Sequence, residues 1–195
     1  MNLANKITIM RIVLIPFILL FLLPLPFAWA QDWNNFVAGP GAHFIALLIF
    51  ALACLSDFLD GRIARSRNLV SNFGKLMDPI ADKLLVLVTF MAFVQRGRIG
   101  TLFLALIMAR EFIVTGIRQI AATHGKVIAA SKFGKWKTFS QMLCLIWLIL
   151  EPVIMPHFGI GRVMQIGNSW CAFALIMTLL SGLDYWMKNK DIIFS

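Results

Sequence analysis

In a chain of 195 residues, 60% are hydrophobic and 14% charged. Soluble domains carry roughly one-quarter charged residues, so an ordinary soluble fold is excluded and an integral membrane protein is expected. The net charge of +9 reads as membrane topology and contact with anionic headgroups, not as nucleic-acid binding.

The first charge-free run, Ile12 to Gln31, is long enough to cross about 30 Å of hydrocarbon as a helix. Lys6 and Arg11 before it and Ala28-Trp29-Ala30 at its end imitate a cleavable signal peptide. Its length, and Pro24 and Pro26 near its end, favour a retained span. Trp33 to Ser56 is a second run of spanning length. Leu84–Val94, Ile99–Ala109 and Thr138–Leu150 are shorter and span only by extending into their polar flanks, whereas Val163 to Gly182 is long again. The runs are continuous and do not alternate, which argues against a β-barrel. Residues 1–195 are therefore expected to form one all-α transmembrane domain of six helices, with no separate soluble module.

Orientation follows from the basic residues. Of the 18 lysines and arginines, only Arg96, Arg98 and Arg162 fall outside the regions assigned to one side. This bias predicts that both termini are cytoplasmic. Trp29, Trp33, Tyr185 and Trp186 are expected at the interface, as are His43, His124 and His157. Cys54, Cys144 and Cys171 read as small apolar fillers, with no metal spacing and no pairing pattern.

The nine acidic residues are distributed unevenly. Asp57, Asp60, Asp78 and Asp82 crowd into Ser56–Lys83, the stretch SDFLDGRIARSRNLVSNFGKLMDPIADK. Asp57, Asp60, Gly61 and Ala64 follow i, i+3, i+4, i+7 spacing, and Gly74, Asp78, Ala81 and Asp82 follow i, i+4, i+7, i+8. Each set shares one helical face. A short loop, roughly Ser66 to Asn72, would return the second helix antiparallel to the first. Four carboxylates near hydrocarbon cannot all remain charged unaided; protonation or bound cations must compensate. Oxygen-only ligands suit hard cations such as Mg²⁺, Mn²⁺ or Ca²⁺. Two such ions about 3.5–4 Å apart would form a phosphoryl clamp. Arg65 adds a fork suited to phosphate oxygens. Residue chemistry alone thus points to a metal-assisted reaction on a phosphate at the membrane surface.

The pattern Asp57-x-x-Asp60-Gly61-x-x-Ala64-Arg65, eight residues, then Gly74-x-x-x-Asp78-x-x-x-Asp82 resembles the signature of the CDP-alcohol phosphatidyltransferase family without departure. Further stretches extend the resemblance over nearly the whole chain. They are Asn5 to Arg11, Ala109-Arg110-Glu111-Phe112, Thr115-Gly116-x-Arg118, Gly134-Lys135-x-Lys137-Thr138 and Ser181-Gly182-x-Asp184-Tyr185. The resemblance implies six helices, a cytoplasm-facing polar cavity in the bacterial inner membrane, two divalent cations (Mg²⁺ or Mn²⁺) and a homodimer. It also implies a CDP-linked lipid, CDP-diacylglycerol, that loses CMP when an alcohol attacks its β-phosphate. Asp57, Asp60 and Asp78 would be metal ligands. Asp82 would ligate or adjoin a metal and act as general base. Gly61, Ala64, Arg65 and Gly74 would line the CDP-lipid site, with Asn5 and Thr8 at the nucleotide end.

Arg110, Arg118 and Lys135, with Lys137 nearby, suit an acceptor alcohol that itself carries a phosphate. This fits sn-glycerol 3-phosphate better than free inositol, serine or choline. Another acceptor, such as inositol phosphate, is the nearer alternative. A divalent-cation carrier is the more distant one, although the far halves of the aspartate helices offer no acid to continue an ion path.

Overall fold

The computed structural model describes the backbone of residues 3–67, 72–123, 128 and 131–193, and the side chains of residues 8–56, 77, 80–123, 128 and 131–190. All regular structure among these residues is helical. The elements are α1 (Leu3–Leu22), a 3-10 turn (Ala28–Ala30), α2 (Gln31–Ala38), α3 (Pro40–Arg67), α4 (Asn72–Gln95), α5 (Thr101–Thr123), α6 (Lys132–Phe158) and α7 (Ile160–Ile193).

Each long helix buries a stripe at alternating spacings of three and four. On α1 the stripe is Thr8, Arg11, Ile15, Ile18 and Leu22, while Met10, Val13 and Phe17 face outward. On α5 it is Leu104, Ile107, Glu111, Val114, Ile117 and Ala121. Such spacing keeps one side of a helix against its neighbours. The outward faces also carry large apolar side chains, among them Leu52, Leu55, Phe112, Ile113 and Leu183. Helices apolar all round belong in a hydrocarbon solvent.

By length and composition, two helices among the described residues can cross a membrane, Lys132–Phe158 and Ile160–Lys190. The bent pair Ala28–Ala38 and Pro40–Ser56 counts as a third. Here the structure departs from a straight second span over Trp33–Ser56: the chain turns by 76° at Gly39-Pro40. Pro40 cannot donate an amide to continue the preceding helix, and Gly39 is extended (φ −86°, ψ 166°). The first apolar run also stops being helical at Leu22, just before Pro24 and Pro26. Asn34 pins the irregular link by bonding both backbone groups of Leu25, at 2.7 and 3.0 Å. The expected Ser66–Asn72 loop is partly taken up by α3, which runs to Arg67, and by α4, which starts at Asn72; residues 68–71 lie outside the described residues.

α1 packs against both α3 and α4, α6 pairs with α7, and α5 packs on α7. Gly159, at φ 82°, closes the tight turn between α6 and α7. At the α4–α5 turn, Arg96 donates to the Leu22 carbonyl at 2.6 Å and so ties off the end of α1. Arg98 is more than a flanking charge: it grips Glu151 with two donors, at 2.6 and 2.7 Å, and Asn168 at 2.9 Å. Gly167 makes that grip possible, since a Cβ there would lie 1.9 Å from Glu151 Oε1. His43 is buried, not interfacial, and its Nδ1 meets the Gly39 carbonyl at 3.0 Å across the bend. Among the described residues, His157 is exposed as expected.

Candidate active site

α3 is helical through Asp57, Asp60, Gly61, Ala64 and Arg65, and α4 through Gly74, Asp78 and Asp82. The backbone therefore keeps the spacing that gives each set one face. The side chains of these residues lie outside the described set, except that of Asp82, as does the side chain of Asn5 on α1. For the same reason no group of three potential metal-binding side chains is found among the described residues. What the donor set offers by sequence, two acidic pairs on consecutive helices with oxygen-only ligands, fits hard divalent cations and not zinc.

Asp82 is described in full. Its carboxylate is half-exposed and pairs with the guanidinium of Arg11, which is 1% exposed on the buried stripe of α1. Thr8, buried one turn before Arg11, shares that stripe. Because α1 packs on both aspartate helices, it delivers one fixed cation and a hydroxyl to the acidic end of the bundle. Counted by sidedness alone, Arg11 looks like a topological flank. Its signal was its position, three residues from Thr8 and four from Ile15 on a stripe otherwise mostly apolar.

A second constellation unites the weaker sequence motifs. Glu111 of α5, buried, accepts from Lys137 Nζ of α6 at 2.5 Å and from Arg110 Nη1 at 3.3 Å. Arg110 Nη2 donates to Ser181 Oγ of α7 at 2.5 Å. Arg110 and Arg118 both stand over the ring of Tyr185, at 5.6 and 5.1 Å from its centroid, and Arg118 also donates to the Tyr185 hydroxyl. Such stacking holds a guanidinium without neutralising it. Gly182 leaves room for this approach, since a Cβ there would lie 3.1 Å from Arg110 Cγ. Ser131 caps α6 by accepting from the Gly134 amide at 3.1 Å, and its own amide donates to Tyr185 at 3.3 Å. Lys83, next to Asp82 on α4, donates to Thr115 Oγ1, which in turn donates to the Glu111 carbonyl at 2.6 Å. The aspartate helix and the cationic cluster are thereby joined.

The cluster holds more positive than negative charge. Among the described residues, Glu111 is the one carboxylate directly bonded to Arg110 and Lys137, whose neighbours are Arg118 and Lys83. An anionic group is therefore attracted to it, and rigid guanidinium forks suit phosphate oxygens. Lys135 is exposed on the first turn of α6, two residues and hence about half a helical turn from buried Lys137. Lys137, which the sequence placed beside Lys135, is the lysine fixed inside. Tyr185 is likewise 2% exposed in the cluster and not at the interface. Ser181, Glu111 and Tyr185 could have been found from the α5 and α7 stripes, where polar residues replace apolar ones at buried positions.

The comparisons agree with this architecture. A model of the CDP-alcohol phosphatidyltransferase family matches residues 1–184. A Bacillus subtilis protein named CDP-diacylglycerol–glycerol-3-phosphate 3-phosphatidyltransferase is 38% identical over 192 residues, covering 97% of this chain and 96% of its own. Proteins of the same name from Rickettsia bellii, 40% identical over 97% of this chain and 96% of theirs, and from Salmonella choleraesuis, 34% identical over 94% and 92%, are also similar. With its aspartate spacing kept on two helices and its length matched nearly end to end, the chain belongs to the CDP-alcohol phosphatidyltransferase family.

Proposed function

We propose that the chain transfers a phosphatidyl group from CDP-diacylglycerol to sn-glycerol 3-phosphate, yielding phosphatidylglycerophosphate and CMP. The observation that carries this reading is the cationic cluster of Arg110, Arg118 and Lys137, tied through Lys83 and Thr115 to the helix of Asp82. Full-length relatives bearing that activity in their names support it. The acceptor hydroxyl would attack the β-phosphate, its proton would pass to Asp82, and the bond to CMP would break. Arg11 would hold the Asp82 carboxylate in place, and Arg110 and Arg118 would take the acceptor's own phosphate, with exposed Lys135 at the approach. Arg110 Nε, buried with no partner among the described residues, leaves that guanidinium with an unused donor.

Asp57, Asp60, Asp78 and Asp82 would hold two divalent cations, Mg²⁺ or Mn²⁺, which neutralise phosphate charge and align the attacking and leaving oxygens. Gly61, Ala64, Arg65 and Gly74 would line the CDP-lipid site, with Asn5 and Thr8 at its nucleotide end. In this reading residues 1–195 are one domain of six spans, with both termini and the site on the cytoplasmic face of a bacterial inner membrane. The six helices of 20 or more residues are consistent with that count. Family resemblance supports a homodimer.

Acceptor choice is tested with purified protein, CDP-diacylglycerol, Mg²⁺ or Mn²⁺ and a panel of alcohols. CMP release with glycerol 3-phosphate, and much less with glycerol, serine or inositol phosphate, is expected. Release with inositol phosphate but none with glycerol 3-phosphate would transfer the assignment to the alternative acceptor.

A further inference from the structure

The seam between α6 and α7 contains a feature that the transfer reaction does not use. Cys144 of α6 and Cys171 of α7, 27 residues apart in sequence, meet with their sulfurs 3.3 Å apart. Both are free and buried. Sequence spacing offered no sign of this pairing, because the two positions are brought together only by the antiparallel register of the helices. Each falls on its helix's buried stripe, Lys137-Gln141-Cys144-Leu148 and Val163-Cys171-Ala174-Thr178. Nearer the cationic cluster, one turn along α6 and two along α7, the same seam is bridged by Gln141 donating to Thr178 at 2.9 Å.

The pair is not sealed. A cavity of about 210 Å³ is lined by Arg98, Ile99, Gly100, Phe103, Asn168 and Cys171. It lies at the α4–α5 turn, at the opposite end of α4 from Asp82. At about 30 Å³ per water, this volume admits a small molecule to Cys171. Cys171 lines this cavity, so its sulfur is the one that an entering molecule meets first. Cys144 stands behind Cys171, placed as a resolving thiol.

We infer that Cys144 and Cys171 form a dithiol modification site, oxidised to an intrachain disulfide by a small hydroperoxide that enters this cavity. The Cys171 sulfur attacks the terminal oxygen of the hydroperoxide and gives up its thiol proton. The O–O bond breaks, leaving a sulfenic acid on Cys171 and an alkoxide that takes a proton to become an alcohol. Cys144 sulfur then attacks the sulfenic sulfur, the S–S bond forms, and the displaced hydroxide takes the Cys144 proton and leaves as water. Two thiols lose two electrons and the peroxide gains them. The product ties α6 to α7 covalently beneath the cluster that contains Lys137 and Ser181.

The test uses the full chain in its native membrane, treated with tert-butyl hydroperoxide. The protein is then denatured and its remaining thiols counted with a maleimide mass tag. The count is expected to fall from three to one, with Cys54 still titrating, and dithiothreitol should restore all three. Peptide mapping of the unmutated protein should find the 144–171 link. Cys54→Ser should still lose two thiols, whereas Cys171→Ser should lose none. Three thiols remaining after oxidation, a product trapped as sulfenic acid with Cys144 still free, or a cross-link between chains through Cys54 would each overturn the inference. The mapping on unmutated protein decides the matter even if a cysteine variant fails to fold.

Discussion

Asp82 and Arg11 lie 71 positions apart and share one ion pair between a half-exposed carboxylate and a buried guanidinium. If Asp82 is the base, Asp82→Asn should keep CDP-nucleotide affinity while turnover falls by about 10²–10⁴-fold, the usual worth of a positioned general base. Parallel loss of binding and turnover would make it chiefly a ligand that builds the site. Arg11 makes a different prediction. Arg11→Ala removes one cation from Asp82, whose carboxylate is partly solvated. The stability loss should therefore fall between the surface and buried cases, about 1–3 kcal/mol by thermal unfolding. Arg11→Lys should recover part of that stability and little turnover, because an ammonium lacks the fork that orients a carboxylate. Full turnover in Arg11→Lys would reduce the arginine to a charge.

At the scale of helices, the α5–α6–α7 junction depends on Glu111. Glu111 and Lys137 are both buried, so removing either alone should cost about 3–5 kcal/mol. Glu111→Gln combined with Lys137→Met should cost clearly less than the sum, as a double-mutant cycle would read. Additive losses would mean that the two side chains do not interact. At the far end of the bundle, Gly167→Ala forces a methyl into Glu151. It should destabilise by about 1–3 kcal/mol, the usual cost of overpacking, while leaving the KM for glycerol 3-phosphate unchanged. Much of this junction was legible in advance as motifs, since Arg110, Arg118, Gly134 and Ser181-Gly182 all belong to it. Their convergence was not legible, because contacts such as Arg110 to Ser181 depend on which helices become neighbours. Hydropathy windows read through Gly39-Pro40, although the dipeptide itself marks a break. Charge counting likewise ignored helical face and placed Arg11 on a flank, and nearness to a helix end placed Tyr185 at the interface.

For the whole molecule, the two ends of the bundle have different work. One end holds Asp82, Arg11 and the cationic cluster; the other ties the helix ends through Arg96, Arg98 and Glu151. If the site lies on the cytoplasmic face, as proposed, a cysteine introduced at exposed Lys135 should react with an impermeant maleimide only after the membrane is opened. One introduced at exposed Trp29, at the far end of α1, should react from outside in intact cells. The reverse pattern would invert the topology. The central claim, that this acidic and cationic end carries out phosphatidyl transfer and not metal transport, is tested most directly in proteoliposomes. These would contain the purified chain, CDP-diacylglycerol, labelled glycerol 3-phosphate and a divalent cation. The account predicts label entering the lipid phase with one CMP released per labelled lipid. Divalent-cation flux across the vesicle membrane, with no labelled lipid and no CMP, would contradict it.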